Sequence, residues 1–197
     1  MTPYDAEKGI LEIHHRDIQD YATALETLQG TYRLYEDIND DSLRDCLRVF
    51  SIFRALGLKE IRLLISSQGG SAYHAFGFCD GIKSMEEAGI RVIGVVEGLA
   101  ASAANMVVLQ SCTRRLVNKH ARLHLHEVRK WVFFEIQKES DVEDEAKEMR
   151  ALTGMIIDLL SLRTGKSKEE IHEFIERRER WMSAKEALEY GLVDEII

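Results

Sequence analysis

The sequence predicts an α/β fold built around a mainly parallel β-sheet. Residues 60–66 and 90–96 have continuous apolar centres, which are typical of strands buried on both faces of a sheet. Each is followed by a glycine-containing turn and a segment with helical spacing, and this alternation with short links predicts βαβ units. The 197 residues suit one domain, and because Pro3 is the only proline, proline marks no domain boundary.

Apolar periodicity, N-cap residues and glycines locate the elements of the first half of the chain. Asp40, Asp41 and Ser42 are the N-cap candidates of the second helix. The predicted elements, in order, are a strand at 9–13, a helix at 17–28, a strand at 32–35, a helix from 43 to Gly57, a strand at 60–66 and a helix at 72–88 that Gly89 ends.

The second half continues the alternation and adds one long helix of about six turns at 141–163. The first half of this helix is rich in acids and has a thin apolar stripe, which predicts that it projects from the globule. Ser167 and Glu170 have capping-box spacing. The remaining predicted elements are a strand at 90–96, a helix of small residues from Ala101, a strand at 122–126 and helices at 167–177 and 183–190.

Charge and composition exclude several classes of function. The net charge is −8 and every basic run is interleaved with acids, which argues against nucleic acid or a membrane as partner. Residues 1–5 lack the features of a signal peptide, and the charge-free stretch at 98–112 is too short and too rich in Ala and Ser to span a bilayer. A cytoplasmic location is therefore expected. Three widely spaced cysteines without a CxxC pair predict buried free thiols: Cys46, Cys79 and Cys112.

A candidate nucleophile, Ser102, follows a buried strand and opens a helix in the segment Gly-Leu-Ala-Ala-Ser-Ala-Ala-Asn at residues 98–105. A serine on such a turn has small neighbours that allow a substrate backbone to approach, and helix-start N–H groups that can face an oxyanion. The alternative is that the small residues only allow this helix to pack closely.

The Gly69–Gly70 pair ends another predicted parallel strand, at the sheet edge where ligands bind in open α/β folds. Its N–H groups can face an oxyanion, but the segment matches neither the GxGxxG nor the Walker pattern of phosphate sites. The alternative is a turn that only reverses the chain.

A candidate general base, His126, lies two residues beyond His124, so both imidazoles would point to one face of a strand. The alternative is a His-x-His metal pair. A zinc site, however, needs a third ligand, and the sequence does not indicate one.

Four segments together resemble the Clp peptidase (ClpP-like) family of serine proteases. Ser-Ser-Gln-Gly-Gly-Ser at 66–71 resembles the family's Asn-Ser-Pro-Gly-Gly-Ser turn, and residues 98–103 resemble its Gly-Gln-Ala-Ala-Ser-Met nucleophile segment. Arg-Leu-His-Leu-His-Glu at 122–127 resembles its Arg-Val-Met-Ile-His-Gln strand, and 164–165 with 183–194 match its C-terminal signature. The Ala-Ala-Ser-Ala-Ala variant is also similar to divergent ClpP-like peptidases of phages and mobile elements.

The resemblance implies a fold, a site and partners. The fold is a ClpP/crotonase-type spiral of βαβ units over residues 1–197, with a divergent N-terminal segment at 1–30 and a protruding strand-helix handle at about 127–150. Ser102 would attack a peptide carbonyl and His126 would act as base, with the backbone N–H groups of Gly70 and Ala103 as oxyanion hole and no metal or cofactor. Implied partners are peptide or unfolded protein substrates, further copies in heptameric rings that stack into a tetradecamer, and an AAA+ unfoldase.

Three departures from the family pattern bear on this expectation. The third catalytic residue of the family is an aspartate, but the aligned position holds Glu179. The alternative is that Glu179 pairs only with the flanking arginines. Asp158 is a second candidate for the third catalytic residue. The segment after His126 lacks the family's Pro and Gly-Gly, and Gln68 replaces the Pro of the glycine turn. Residues 1–30 do not match the family's axial-loop segment, on which unfoldase docking depends.

Two alternatives to an active endopeptidase remain open from the sequence. One is a ClpP-like structural subunit that is catalytically impaired by Glu179 and the altered strand. The other is an acyl-CoA enzyme of the crotonase fold, which uses the same spiral and a similar glycine-containing oxyanion hole; the Ser102–His126 pair argues against it.

Overall fold

The computed structural model describes residues 15–128 and 139–197, which form a seven-stranded, mostly parallel sheet with helices packed against it. The strand predicted at 9–13 and the part of the predicted handle at 129–138 lie outside the described residues. In chain order, the elements are α1 (His15–Leu28), β1 (Thr31–Leu34), α2 (Asp40–Ala55), β2 (Glu60–Ser67), α3 (Ala72–Glu87), β3 (Arg91–Ala101), α4 (Ala104–Leu109, a π-helix), β4 (Arg114–Val117), β5 (Arg122–Leu125), α5 (Glu139–Thr164), α6 (Lys168–Ile175), β6 (Arg180–Ser183), α7 (Ala184–Tyr190) and β7 (Glu195–Ile196).

The sheet runs in the order β1-β2-β3-β4-β7, and all of these neighbours are parallel. The long strand β3 pairs with β4 along its first half and with β5 at Leu99–Ala101 along its second half. An antiparallel strand, β6, extends the sheet beyond β5. The predicted α/β class with a mainly parallel sheet is therefore confirmed, and β3 runs about five residues further than the predicted strand because its second half finds a separate partner.

Local capping explains where the helices begin. The N-cap of α2 is Asn39 rather than the predicted Asp40, Asp41 or Ser42, because the Asn39 side chain accepts from the N–H of Ser42 while the Ser42 hydroxyl accepts from the N–H of Asn39. The capping box predicted for α6 is present between Ser167 and Glu170.

The main core lies between the sheet and the helices. Its largest fully buried side chains include Phe53, Phe78, Met85 and Leu109. Cys46 and Cys112 are free and buried as predicted, whereas Cys79 is half-buried. Burial raises the pKa of the Cys112 thiol to about 12, so it remains protonated at neutral pH. Among the described helices, none has an apolar run long enough to cross a membrane.

An ion pair between buried Arg115 and partly exposed Asp194 ties the C-terminal turn to β4. Arg115 is 5% exposed and its guanidinium binds both carboxylate oxygens of Asp194, whose Oδ2 also accepts from the Arg115 backbone N–H at 2.7 Å. Partial burial alone would raise the pKa of Asp194, but the hydrogen bonds and charge of Arg115 outweigh it and hold that pKa below its usual range. The pair therefore stabilises the fold through the ionised carboxylate.

We expect Asp194→Asn to lower the free energy of unfolding by about 2 kcal/mol at pH 7, less than for a fully enclosed pair because the carboxylate is partly exposed. The folded pKa is lower than the unfolded one, so this stabilisation is complete above about pH 5 and is lost as the pH falls through the folded pKa. The difference between the two proteins in urea unfolding should accordingly shrink on acidification. Glu195→Gln, which breaks the exposed pair with Arg114, is the control and should change stability by less than about 0.5 kcal/mol. A constant difference down to about pH 2 would contradict this account.

Candidate active site

Ser102 lies on a strained turn between β3 and α4. Its φ of 52° is left-handed, a region that serine adopts only at an energetic cost. The Ser102 N–H donates to the carbonyl of His124 at 3.1 Å, which ties the turn to β5. The flanking Ala101 and Ala103 are buried and too small to cover the hydroxyl. The turn therefore presents Ser102 Oγ at the sheet edge, as a nucleophile elbow does.

The pairing of β3 with β5 brings Ser102 and His126 together. Residues Leu99–Ala101 run beside Arg122–His124, so the residues that follow each strand meet at the same edge. Ser102 Oγ lies 2.8 Å from Nε2 of His126, and Nδ1 of His126 contacts the carbonyl oxygen of Glu127. An Nδ1–H that donates to this carbonyl leaves Nε2 as the acceptor for the Ser102 proton, which is the tautomer that a general base requires.

Gly69 and Gly70 form a turn next to Ser102, and their φ angles of 98° and 145° lie in the left-handed region that favours glycine. The turn is held by a parallel bridge in which the N–H of Ile38 donates to the Gly69 carbonyl at 2.7 Å and the N–H of Ser71 donates to the Ile38 carbonyl at 2.9 Å. Because a ladder bonds alternate residues, the N–H of Gly70 points away from Ile38.

Gly70 and Ala103 line the same cavity as the hydroxyl and the imidazole. The N–H of Ala103 stands at the start of a helical turn, where N–H groups have no acceptor within the helix. The two N–H groups that the resemblance implies for an oxyanion hole thus border one site.

The cavity next to Ser102 and His126 measures about 390 Å³ and is mostly apolar. Residues of α5 line one side of it, and this helix therefore borders the site although most of its side chains between residues 142 and 151 are exposed. Tyr73 of α3 donates to Glu148 of α5 at 3.1 Å, which links the two walls. The other described residues that line this cavity are Ser71, Ala72, Met106, Val128, Glu145, Met149, Leu152 and Ile156.

Glu179 contacts His124, the histidine two residues before His126. Its Oε2 lies 2.5 Å from Nε2 of His124, and the His124 ring stacks on Trp181 with centroids 4.3 Å apart. The assignment of Glu179 as the third catalytic residue remains a prediction. The second candidate for that role, Asp158, pairs with Lys168 at 2.7 Å between α5 and α6.

His124 and His126 share a face of β5 as predicted, with ring centroids 5.3 Å apart. Nε2 of His124 is engaged with Glu179 and Nε2 of His126 with Ser102. Within residues 15–128 and 139–197, no group of three or more His, Cys, Asp or Glu side chains is arranged to hold a metal ion.

A buried polar network behind the nucleophile was missed by the sequence analysis. Asn105 of α4 is fully buried, and its Nδ2 donates to the carbonyl of His124 at 3.3 Å, the same oxygen that accepts from the N–H of Ser102. Gln110, also fully buried, donates to Asn105 Oδ1 at 3.4 Å and accepts from Arg115 at 2.8 Å. The available signal was two amides inside an otherwise apolar helix, since buried amides need partners.

Comparisons with known proteins are consistent with this geometry. A model of the Clp protease family matches residues 16–197. The chain is 30% identical over 140 residues to the "ATP-dependent Clp protease proteolytic subunit" of Porphyromonas gingivalis, covering 71% of this chain and 60% of that protein. It is 35% identical over 140 residues to the "ATP-dependent Clp protease proteolytic subunit 1" of Protochlamydia amoebophila, covering 71% and 66%. Each match thus spans less than two thirds of the relative.

Among solved structures, a point mutant of ClpP1 from Listeria monocytogenes superposes with a TM-score of 0.78 at 26% identity, covering 89% of this chain and 95% of that one. The likeness extends over nearly the whole of both chains, so it supports the spiral ClpP-type fold.

Proposed function

The chain belongs to the Clp protease family, and we propose that it is a serine endopeptidase with Ser102 as nucleophile and His126 as general base. The observation that carries the proposal is the 2.8 Å contact between Ser102 Oγ and His126 Nε2. A strained serine turn, a correctly disposed imidazole and two N–H groups bordering one cavity are the parts that acyl transfer requires.

The proposed mechanism gives each part a defined role. Ser102 Oγ attacks the carbonyl carbon of the scissile peptide while His126 Nε2 takes the hydroxyl proton. The N–H groups of Gly70 and Ala103 stabilise the oxyanion, and each such donor is typically worth about 10²–10³ in kcat. When the C–N bond breaks, His126 returns the proton to the leaving amine. A water molecule, deprotonated by His126, then hydrolyses the acyl-enzyme and frees Ser102.

We further propose that the chain works as a homo-oligomer that encloses peptide or unfolded protein substrates. The curated relatives are named as proteolytic subunits of ATP-dependent Clp proteases, and the resemblance implies stacked heptameric rings and an AAA+ unfoldase partner. Met155 and Leu162 lie seven residues apart on one face of α5, are 49% and 80% exposed, and would be covered if that face lay between copies.

The alternative of a catalytically impaired subunit rests on two departures from the family pattern, Glu179 in place of an aspartate and the altered segment after His126. The Ser102–His126 contact favours activity. Membership of the Clp protease family favours either subunit over an acyl-CoA enzyme.

Labelling with a fluorophosphonate probe distinguishes an active peptidase from an inert structural subunit. We expect the folded, assembled protein to gain one phosphonyl adduct, located on Ser102 by peptide mass spectrometry, because His126 activates this hydroxyl. Ser102→Ala should abolish the adduct and His126→Ala should slow its formation. Ser111→Ala, which removes a hydroxyl bonded to the Val107 carbonyl in the same helical segment, is the control and should label normally. An assembled sample that stays unlabelled would exclude the enzyme and leave the structural subunit.

A further inference from the structure

Strand register brings Glu179 to His124. Strands β5 and β6 are antiparallel, with His124 opposite Trp181 and Leu125 opposite Arg180. Glu179 directly precedes β6 and stands two residues before Trp181, so in this register it is a diagonal neighbour of His124 and within reach of its ring. The result is the 2.5 Å contact between Glu179 Oε2 and His124 Nε2.

The His124 imidazole is held on its edge and on its face. Glu179 accepts from one ring nitrogen, and Trp181 stacks on the ring at an interplanar angle of 24°. The residue is only 8% exposed, so water competes poorly for the ring. An imidazole fixed in this way has a defined orientation and a defined tautomer, in which Nε2 carries the proton that Glu179 accepts.

His124 also lies beside the proposed base. The two rings are 5.3 Å apart with an interplanar angle of 33°, on one face of β5. His126 becomes an imidazolium when it takes the Ser102 proton, and a carboxylate on the same face favours that charge. Glu179 can thus influence His126 through the His124 ring, whose orientation it fixes.

We propose that Glu179 acts on His126 through His124, which makes His124 a positioning residue of the active site. The inference rests on the proposed endopeptidase function and deepens it. It differs from direct Glu179–His126 pairing, which the family resemblance implies, and it uses a histidine where the family strand has a hydrophobic residue.

The test compares Glu179→Gln, His124→Met and the double variant in steady-state hydrolysis of a fluorogenic peptide. Because the carboxylate acts across an intervening ring, its effect should be smaller than the roughly 10⁴-fold loss seen when a directly bonded triad acid is neutralised. We expect each single variant to lower kcat by about 10- to 100-fold with little change in KM. The double variant should be no worse than either single variant, because both remove the same link.

Two further variants separate positioning from general destabilisation. His124→Gln can keep an N–H donor near the position of Nε2 and should recover part of the loss in kcat, which a purely structural role does not explain. Glu176→Gln removes a neighbouring carboxylate that pairs with Arg177 and His172, and it should leave kcat unchanged.

The results of these variants either support the role of His124 or overturn it. If His124→Met keeps the wild-type kcat while Glu179→Gln does not, the carboxylate acts directly and the inference is wrong, although the proposed function stands. Multiplying effects in the double variant would likewise overturn it. If wild-type protein neither hydrolyses peptide nor takes up the fluorophosphonate, the proposed function fails, and this inference fails with it.

Discussion

Ser102→Ala should reduce kcat for peptide hydrolysis by about 10⁴- to 10⁶-fold and leave the fold intact. The reaction begins at Ser102 Oγ, which lies 2.8 Å from His126 Nε2, and removal of a nucleophile in a comparable triad costs about 10⁶ in kcat. Both serine and alanine must adopt the left-handed φ of this turn, so the backbone cost is the same. The measurement is steady-state hydrolysis of a fluorogenic peptide, with thermal unfolding as the check on folding.

The matched comparison is the Ser102→Ala, His126→Ala double variant. Nucleophile and base act as a unit, so the double variant should be about as slow as either single variant. A Ser102→Ala protein that retains more than a few per cent of wild-type kcat, after purification away from contaminating proteases, would assign the chemistry to another residue. Effects that multiply would show that Ser102 and His126 act in separate steps.

Periodicity and breaker residues were enough to predict the fold class. The strands at β2 and β3 carry continuous apolar runs, and Gly57 and Gly89 stand where the helices end, so local chemistry and final structure agree. The proximity of Ser102 and His126 was also predictable, because residues that follow two neighbouring parallel strands meet at the carboxyl edge of the sheet. Their catalytic roles came from the family resemblance and stay a proposal.

Other features depend on contacts that sequence spacing does not encode. Strand β6 has four residues and exists because β5 offers it a free edge. The π-helical geometry of α4 accompanies the buried amides of Asn105 and Gln110, whose partners lie on β5, β4 and the C-terminal turn. The contact of Glu179 with His124 follows from the register of β5 on β6, which one residue of slip would abolish.

Gly69→Ala should lower kcat by about 10³- to 10⁴-fold without touching a reacting side chain. A methyl group at this position would lie 2.6 Å from the carbonyl oxygen of Ala101, 2.7 Å from Cβ of Ser102 and 3.0 Å from the N–H nitrogen of Ala103. These atoms belong to the backbone of the nucleophile turn or lie next to it, so relief requires the two turns to separate. Separation moves the N–H of Gly70 away from that of Ala103, which weakens the oxyanion hole, and it also shifts Ser102 from its position for attack. The two decreases in kcat multiply.

Gly89→Ala is the control that isolates this clash. Gly89 has a comparable left-handed φ of 76°, but a methyl group there has no neighbour within 4 Å. Both variants bear the left-handed cost of roughly 1–2 kcal/mol and should unfold at lower temperature. Only Gly69→Ala should lose turnover and react slowly with a fluorophosphonate. If the two variants lose stability alike and Gly69→Ala keeps its kcat, the glycine turn serves only the chain reversal, and the oxyanion must be held by other groups than Gly70 and Ala103.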